Sequence, residues 1–311
     1  MSPVIHAQNL SKKYGKNHAV SEVTLAIEPG QIVGLIGPNG AGKTTVMRML
    51  LDIIRPTSGS LSVLGHEPKT APPSLRERIG YLPGELRIST RQTAKQVLSF
   101  FAGVSGPVTP GAIDSWAERF GLDLSKPVKD LSKGNKQKVG LIQALMHTPE
   151  LLILDEPTSG LDPLIQREFL SVLREIQASG RTVLLSSHVL GEIQQTADRV
   201  VVLSSGRVVA DSPVNSLALA QYKRVRLVVS EAEHTYVVGV LERSGISAEV
   251  TSTPLGDAAL ALEFSFSGHT RDLIRTLGGI DLTDVTITQP DLEDSVLNLY
   301  DSEPRPEARN G

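Results

Sequence analysis

The run Gly37-Pro38-Asn39-Gly40-Ala41-Gly42-Lys43-Thr44 carries the most specific chemistry in the sequence. It fits G-x-x-x-x-G-K-[ST] in full. A nucleoside triphosphate packs several anionic oxygens into a small volume. Glycines let a backbone wrap closely around such a group, so that successive N–H donors point inward. A helix starting at the end of the loop presents its positive N-terminal end to the same charge. Lys43 can reach the β and γ phosphates, and the Thr44 hydroxyl can bind Mg²⁺. An ordinary glycine-rich turn has no use for the Lys-Thr pair.

A second constellation is Leu151-Leu152-Ile153-Leu154-Asp155-Glu156. A buried strand ending in two acids puts both carboxylates where a sheet meets solvent. Acids often cap strand ends, so the pattern alone says little. Beside a P-loop it gains meaning. Asp155 suits the magnesium shell, as the acid of a Walker B strand. Glu156 suits general-base activation of an attacking water. The two motifs together imply a bound nucleotide with Mg²⁺.

Three further segments complete the set: Leu131-Ser132-Lys133-Gly134-Asn135-Lys136-Gln137, Ser159-Gly160-Leu161-Asp162 and Ser186-Ser187-His188. Alone, the first is a helix start with Ser132 as N-cap. In this order behind a P-loop, the set resembles the ATPase domain of ABC transporters over residues 4–211. The resemblance implies an α/β P-loop fold with a mostly parallel core sheet, an antiparallel β subdomain and a helical subdomain. It implies a nucleotide site of Gly37, Pro38, Asn39, Gly40, Ala41, Gly42, Lys43, Thr44 and Thr45, with Tyr14 stacked on the adenine. Thr44 and Asp155 would hold the metal; Glu156, His188 and Lys43 would serve catalysis, His188 by binding the γ phosphate. Ser132 and Gly134 would contact an ATP held by a second subunit. That subunit is either another copy, giving an ATP-sandwich homodimer, or a homologous ATPase. Asp162 would lie at their interface. His6, His18, His66, His147, His234 and His269 read as surface or core histidines.

The sequence departs from the family pattern in two places. The usual signature is Leu-Ser-Gly-Gly-Gln, and here Lys133 and Asn135 replace its third and fifth residues. After Ile79-Gly80-Tyr81-Leu82-Pro83 the family commonly places a glutamine that touches Mg²⁺ and the membrane partner. Here that position is Gly84, so no metal role is assigned to it. The adjacent Glu85, or a water, could substitute.

The signature variant, residues 79–85, and Asp291-Leu292-Glu293-Asp294-Ser295-Val296-Leu297 resemble exporter ATPases encoded apart from their membrane subunits. This implies a subunit that powers a separate integral membrane permease, moving drugs, antibiotics or lipids outward. An importer ATPase and a non-transport ABC ATPase are the alternatives. Against the latter, the chain has a single P-loop and no sustained heptad run.

These motifs need elements to hold them. Strands are expected at residues 4–9 and 23–27, then a buried strand at 32–36 leading into the loop and a helix at 44–54. Short strands follow at 61–64 and 79–82. A helical insert at about 92–148 contains helices at 94–102, 112–120 and 137–146. Strands at 151–154, 183–186 and 200–203, with a helix at 164–179, make a parallel sheet covered on both faces and close the region. The ATPase domain is thus expected at 1–218. Residues 219–301 read as a small α+β domain: strand 224–229, helix 235–243, strands 248–253 and 258–265, helix 270–277 and strand 282–288. That order matches the ferredoxin-like split βαβ motif. A helix at 292–300 and a disordered tail at 302–311 complete the chain.

Composition narrows the class. Of 311 residues, 40% are apolar and 21% charged, an ordinary globular balance. A net charge of −3 gives no general attraction to nucleic acid. The absence of cysteine excludes disulfides and thiolate metal sites. No run is long enough to span a membrane, and residues 1–10 lack a secretory pattern. The expectation is a soluble, cytoplasmic chain, peripheral on the inner face of the membrane through its permease.

Overall fold

The long antiparallel hairpin of β1 (Ile5–Tyr14) and β2 (Asn17–Ile27) opens the computed structural model, which describes residues 2–218, 223–246, 250–256, 258–266 and 268–288. The chain divides into two units, Met1–Val214 and Asn215–Gly311.

In the first unit β3 (Ile32–Ile36) leads through the glycine-rich loop into α1 (Lys43–Leu50). Then come β4 (Ser58–Val63), α2 (Ser74–Glu77) and β5 (Ile79–Leu82), followed by the helices α3 (Ala94–Ala102), α4 (Ala112–Phe120) and α5 (Lys133–Leu145). β6 (Leu151–Asp155), α6 (Pro163–Ala178), β7 (Thr182–Ser186), α7 (Leu190–Thr196), β8 (Arg199–Ser204) and β9 (Arg207–Pro213) complete it.

Two sheets result. One has the order β2-β1-β4, and the other runs β5-β6-β7-β3-β8-β9. From β5 to β8 the second sheet is parallel, and every residue of β3, β6 and β7 is buried. That is the signature of strands covered on both faces. The register sets Leu35, Ser186 and Asp155 side by side at the C-terminal ends of their strands. The chain leaves β3 for the loop at this same edge, where ligands of open parallel sheets bind.

α1 lies between the sheets. Its Val46, Met47, Met49 and Leu50 share one buried cluster with Ile5, Leu25, Leu61, Ile153 and Val201. Burying a side chain of this size contributes about 1.5–3 kcal/mol, so the helix that starts at Lys43 is firmly seated. It stops at Leu50 rather than continuing to 54. Asp52 takes a left-handed φ of 53°, and the N–H of Ile53 turns back to the Arg48 carbonyl at 3.0 Å. Aspartate tolerates that conformation. α3, α4 and α5 form the helical insert, where Thr93 and Gln96 make a capping box for α3.

The expectation that residues 200–203 close the region is corrected. α7 intervenes before β8, and β9 adds an antiparallel edge beyond it through the turn Ser205-Gly206. Both turn residues have positive φ, 47° and 80°, as a tight hairpin requires.

The second unit starts with α8 (Val214–Ala218) at the boundary. It continues with β10 (Lys223–Ser230), α9 (His234–Arg243), β11 (Thr251–Pro254), β12 (Ala259–Phe266), α10 (Thr270–Leu277) and β13 (Asp284–Thr288). Its sheet order is β11-β12-β10-β13, antiparallel throughout. This is the split βαβ arrangement. Val225, Leu227, Val229, Leu262 and Phe264 pack on Val237 and Leu241 of α9 and Leu273 and Leu277 of α10. The expected helix at 292–300 and tail at 302–311 lie outside the described residues, as does the start of the strand expected at 248. Among the described residues no helix is long and apolar enough to cross a membrane.

Candidate active site

The loop between β3 and α1 forms one wall of an open cavity of about 220 Å³, lined by Ala19, Asn39, Gly40, Ala41, Gly42, Lys43, Thr44, Thr45, Asp155 and Glu156. Gly42 precedes α1 at φ 104°, a conformation that glycine adopts without strain. Lys43 is buried, and its Nζ donates to the carbonyls of Gly37 at 2.6 Å and Pro38 at 3.3 Å. Its ammonium thus sits inside the curl of the loop. Tyr14 stands exposed at the end of β1, on the hairpin that also supplies Ala19, with Lys12 Nζ 5.2 Å from its ring centre.

Asp155 joins the loop to the sheet. Its Oδ2 accepts from the Thr44 hydroxyl at 2.7 Å and its Oδ1 from the Ser186 hydroxyl at 2.6 Å. Thr44 and Asp155 are therefore hard oxygen donors converging on one point beside the cradle. They suit a small divalent cation whose remaining positions are filled by phosphate oxygens and water. Among the described residues no cluster of three or more histidines or acids offers a competing site.

The next residue, Glu156, has a left-handed φ of 50°. A non-glycine residue holds that conformation only when its surroundings dictate it. Here both backbone groups are fixed. The Glu156 N–H donates to Ser186 Oγ at 2.9 Å, and its carbonyl accepts from Gln137 Nε2 at 3.2 Å. The side chain then meets His188, whose Nδ1 is 2.5 Å from Glu156 Oε2. The His188 ring is largely exposed.

Ser132 and Gly134 do not line this cavity. Ser132 caps α5, its hydroxyl accepting from the Asn135 N–H at 3.2 Å. A Cβ at Gly134 would stand 2.4 Å from the Gly160 carbonyl, so the start of α5 rests directly on the 159–162 segment. Asp162 caps α6 by accepting from the N–H groups of Leu164 and Ile165, both at 3.1 Å, and Leu164 beside it is 75% exposed.

Gly84 lies against Asp155. A Cβ there would stand 3.1 Å from Asp155 Oδ2. Glu85 turns elsewhere: it is exposed and pairs with Arg87 at 2.8 Å, and that hydrogen bond holds its carboxyl below the usual range. Tyr81 is half-buried nearby, and burial, then the Asp155 charge, pushes its hydroxyl up.

Sequence reasoning gave no role to Gln137, Ser186, Thr158 or Glu192. Ser186 was within a quoted motif, and Gln137 ended another. Their signal is a polar side chain on an otherwise apolar strand or helix face, which becomes meaningful only once the partner is known.

Known proteins resemble this chain in sequence and fold. A family model described as ABC transporter matches residues 20–159. The bacitracin transport ATP-binding protein BcrA of Enterococcus faecalis is 33% identical over 299 residues, covering 94% of this chain and 95% of that protein. The daunorubicin resistance ATP-binding protein DrrA3 of Streptomyces coeruleorubidus is 33% identical over 306 residues, covering 95% of each. A solved ATP-binding subunit of an ABC transporter, 30% identical, overlays with a TM-score of 0.64 across 69% of this chain and 91% of its own. Near-complete alignment with such relatives and a P-loop facing two strand-end acids lead to one conclusion: the chain belongs to the ABC transporter family, as one of its ATP-binding, ATP-hydrolysing subunits.

Proposed function

We propose that this ATPase drives efflux of drugs or antibiotics through a separate integral membrane permease, and that it works as a pair of subunits enclosing two ATP molecules. The observation that carries the efflux reading is the extent of the likeness. Bacitracin-transport and daunorubicin-resistance ATPases match across both units, not over the nucleotide-binding part alone. For the pair, support comes from a fold neighbour, 21% identical with a TM-score of 0.62, solved as a dimer bound to ADP and phosphate.

In this reading ATP lies along residues 37–45 with its adenine on Tyr14. Lys43 faces the β and γ phosphates. Glu156 takes a proton from water as that water attacks the γ phosphorus in line. Lys43 and His188 stabilise the charge that develops. Bound Mg²⁺, held by Thr44 and Asp155, would neutralise charge on the β and γ oxygens. Ser132 and Gly134, outside this chain's own cavity, face the ATP of the second subunit. Loss of the γ phosphate removes contacts that only the closed pair makes, so hydrolysis biases a two-state assembly.

The permease contact falls on the apolar groove of about 430 Å³ lined by Leu50, Leu51, Ile53, Pro72, Leu75 and Tyr81. Ile53 is 55% exposed there. Phe100 and Val104 are also exposed, and Gly106, shortly after them, packs against Glu77 of α2. An amphipathic helix on the membrane partner fits such a surface. The membrane-bound location follows from this contact.

The test is reconstitution with the permease in inside-out vesicles. ATP should drive accumulation of an amphipathic antibiotic, and Glu156→Gln should abolish it. Transport in the opposite direction would overturn the efflux reading.

A further inference from the structure

α7 follows the turn that carries His188, and its third residue, Glu192, is a carboxylate pointing inward. Glu192 is only 7% exposed. Its Oε2 accepts from the Thr158 hydroxyl at 2.8 Å and from the Ser187 hydroxyl at 3.1 Å. The partners that the described residues give it are hydroxyls, not a cation. A buried carboxylate is costly unless donors satisfy it, and the mechanism above makes no use of this one.

Its two donors are placed where that mechanism needs order. Thr158 is two residues beyond Glu156, and Ser187 immediately precedes His188. One oxygen therefore holds the chain leaving the general base and the chain entering the γ-phosphate histidine. Ser187 is itself fixed, since its Oγ accepts from the Val189 N–H at 2.9 Å and so shapes the His188 turn. The platform beneath Glu192 is rigid. Ile193 is fully buried, and a Cβ at Gly34 of β3 would stand 2.7 Å from its Cγ2. α7 therefore rests directly on the strand that leads into the phosphate loop.

We propose that Glu192 is a positioning residue for hydrolysis, aligning Glu156 with His188 by fastening Thr158 and Ser187 to one carboxylate oxygen. It touches neither ATP nor water and acts through those two hydroxyls. The proposal rests on the roles given above to Glu156 and His188.

Steady-state kinetics of the full chain with Mg·ATP, together with binding of a fluorescent ATP analogue, test it. Glu192→Ala should lower kcat by about 10- to 100-fold, the range for loss of a supporting partner or a small misplacement. KM and analogue affinity should stay within about twofold, because the cradle at 37–45 is untouched. Glu192→Gln keeps an acceptor oxygen at the same reach and should recover most of the rate. Thr158→Val and Ser187→Ala should each lower kcat alone and add nothing on top of Glu192→Ala. Wild-type kcat in Glu192→Ala would overturn the proposal, as would a parallel loss of ATP affinity or a Gln variant no better than Ala. If Glu192→Ala does not fold, unchanged kcat in both hydroxyl variants overturns it instead. Glu156→Gln is measured alongside. Normal turnover there would refute the role of Glu156 itself. A dead Glu156→Gln beside an unimpaired Glu192→Ala would refute only the positioning role.

Discussion

His188 Nδ1 and Glu156 Oε2 stand 2.5 Å apart on turns that leave the neighbouring strands β7 and β6. The pairing follows from register, because Asp155 lies opposite Ser186 and the chain then advances to Glu156 on one side and to His188 on the other. Glu156 lines the cavity, and His188 stands behind it, outside the lining. Glu156→Gln should therefore keep ATP binding while lowering turnover by at least about 100-fold, the scale of general-base loss. With ATP the variant should run as a dimer on size-exclusion chromatography. A monomer under those conditions would count against the enclosed-pair arrangement.

Ser186 is fully buried and serves both acids at once, donating to Asp155 Oδ1 and accepting from the Glu156 N–H. Ser186→Ala leaves two buried polar groups without this partner. Stability should fall by about 2 kcal/mol, read from denaturant unfolding. Turnover should fall by about 10- to 100-fold, with a raised Mg²⁺ requirement. Unchanged metal dependence would separate Ser186 from the Asp155 function.

A side chain at Gly84 would crowd Asp155, because its Cβ would stand 3.1 Å from Oδ2. Gly84→Gln should push the carboxylate off Thr44 and weaken Mg²⁺-dependent turnover by about 10-fold or more. A Mg²⁺ titration of activity checks this, and a gain of activity would mean that the side chain finds a place in the metal shell. Glu85 points away to Arg87. Glu85→Ala should accordingly leave the rate of the isolated subunit unchanged and lower only the permease-stimulated rate.

His147, just beyond α5, is buried with Nε2 3.3 Å from the Ile79 carbonyl, and burial pushes its pKa down. The unfolded chain takes up this proton near the ordinary histidine value of about 6.5, while the folded chain resists it. The unfolded state then binds more protons, so stability is lost as pH falls between the unfolded and the depressed folded pKa. The melting temperature should drop more between about pH 7.5 and about pH 5.5 in the wild type than in His147→Gln. Equal slopes would remove His147 from the acid response.

Much of the site was legible because phosphate chemistry demands particular residue types in adjacent positions. Asn39 to Thr45, Asp155 and Glu156 line one cavity, while Gly37 and Pro38 bound the loop through their carbonyls on Lys43. α3, α4 and α10 match their expected limits, because clear apolar periodicity marks all three and a capping box opens α3. β9 was missed although Ser205-Gly206 is a hairpin signal, since its residues are only half-buried and carry no strong alternation. Glu192 could not be found this way. Its importance lies in two hydroxyls distant in sequence, and a glutamate in a short helix reads as a solvated one. Gly84 illustrates the same limit: the sequence shows a missing side chain, and only the contact with Asp155 explains what its absence permits.

α6 carries a mechanical consequence. Sixteen residues of α-helix make a bar about 24 Å long. Its leading end is capped by Asp162, beside the segment that Gly134 rests on. Along its flank Arg119 of α4 grips Glu168 at 2.5 Å and Glu175 at 2.6 Å, so the bar is clamped at points two turns apart. Both carboxylates share one guanidinium, so α4 is tied to two turns of α6 through a single side chain. A shift of α6 at its Asp162 end therefore tugs on α4 through Arg119, without a loop between them to absorb it.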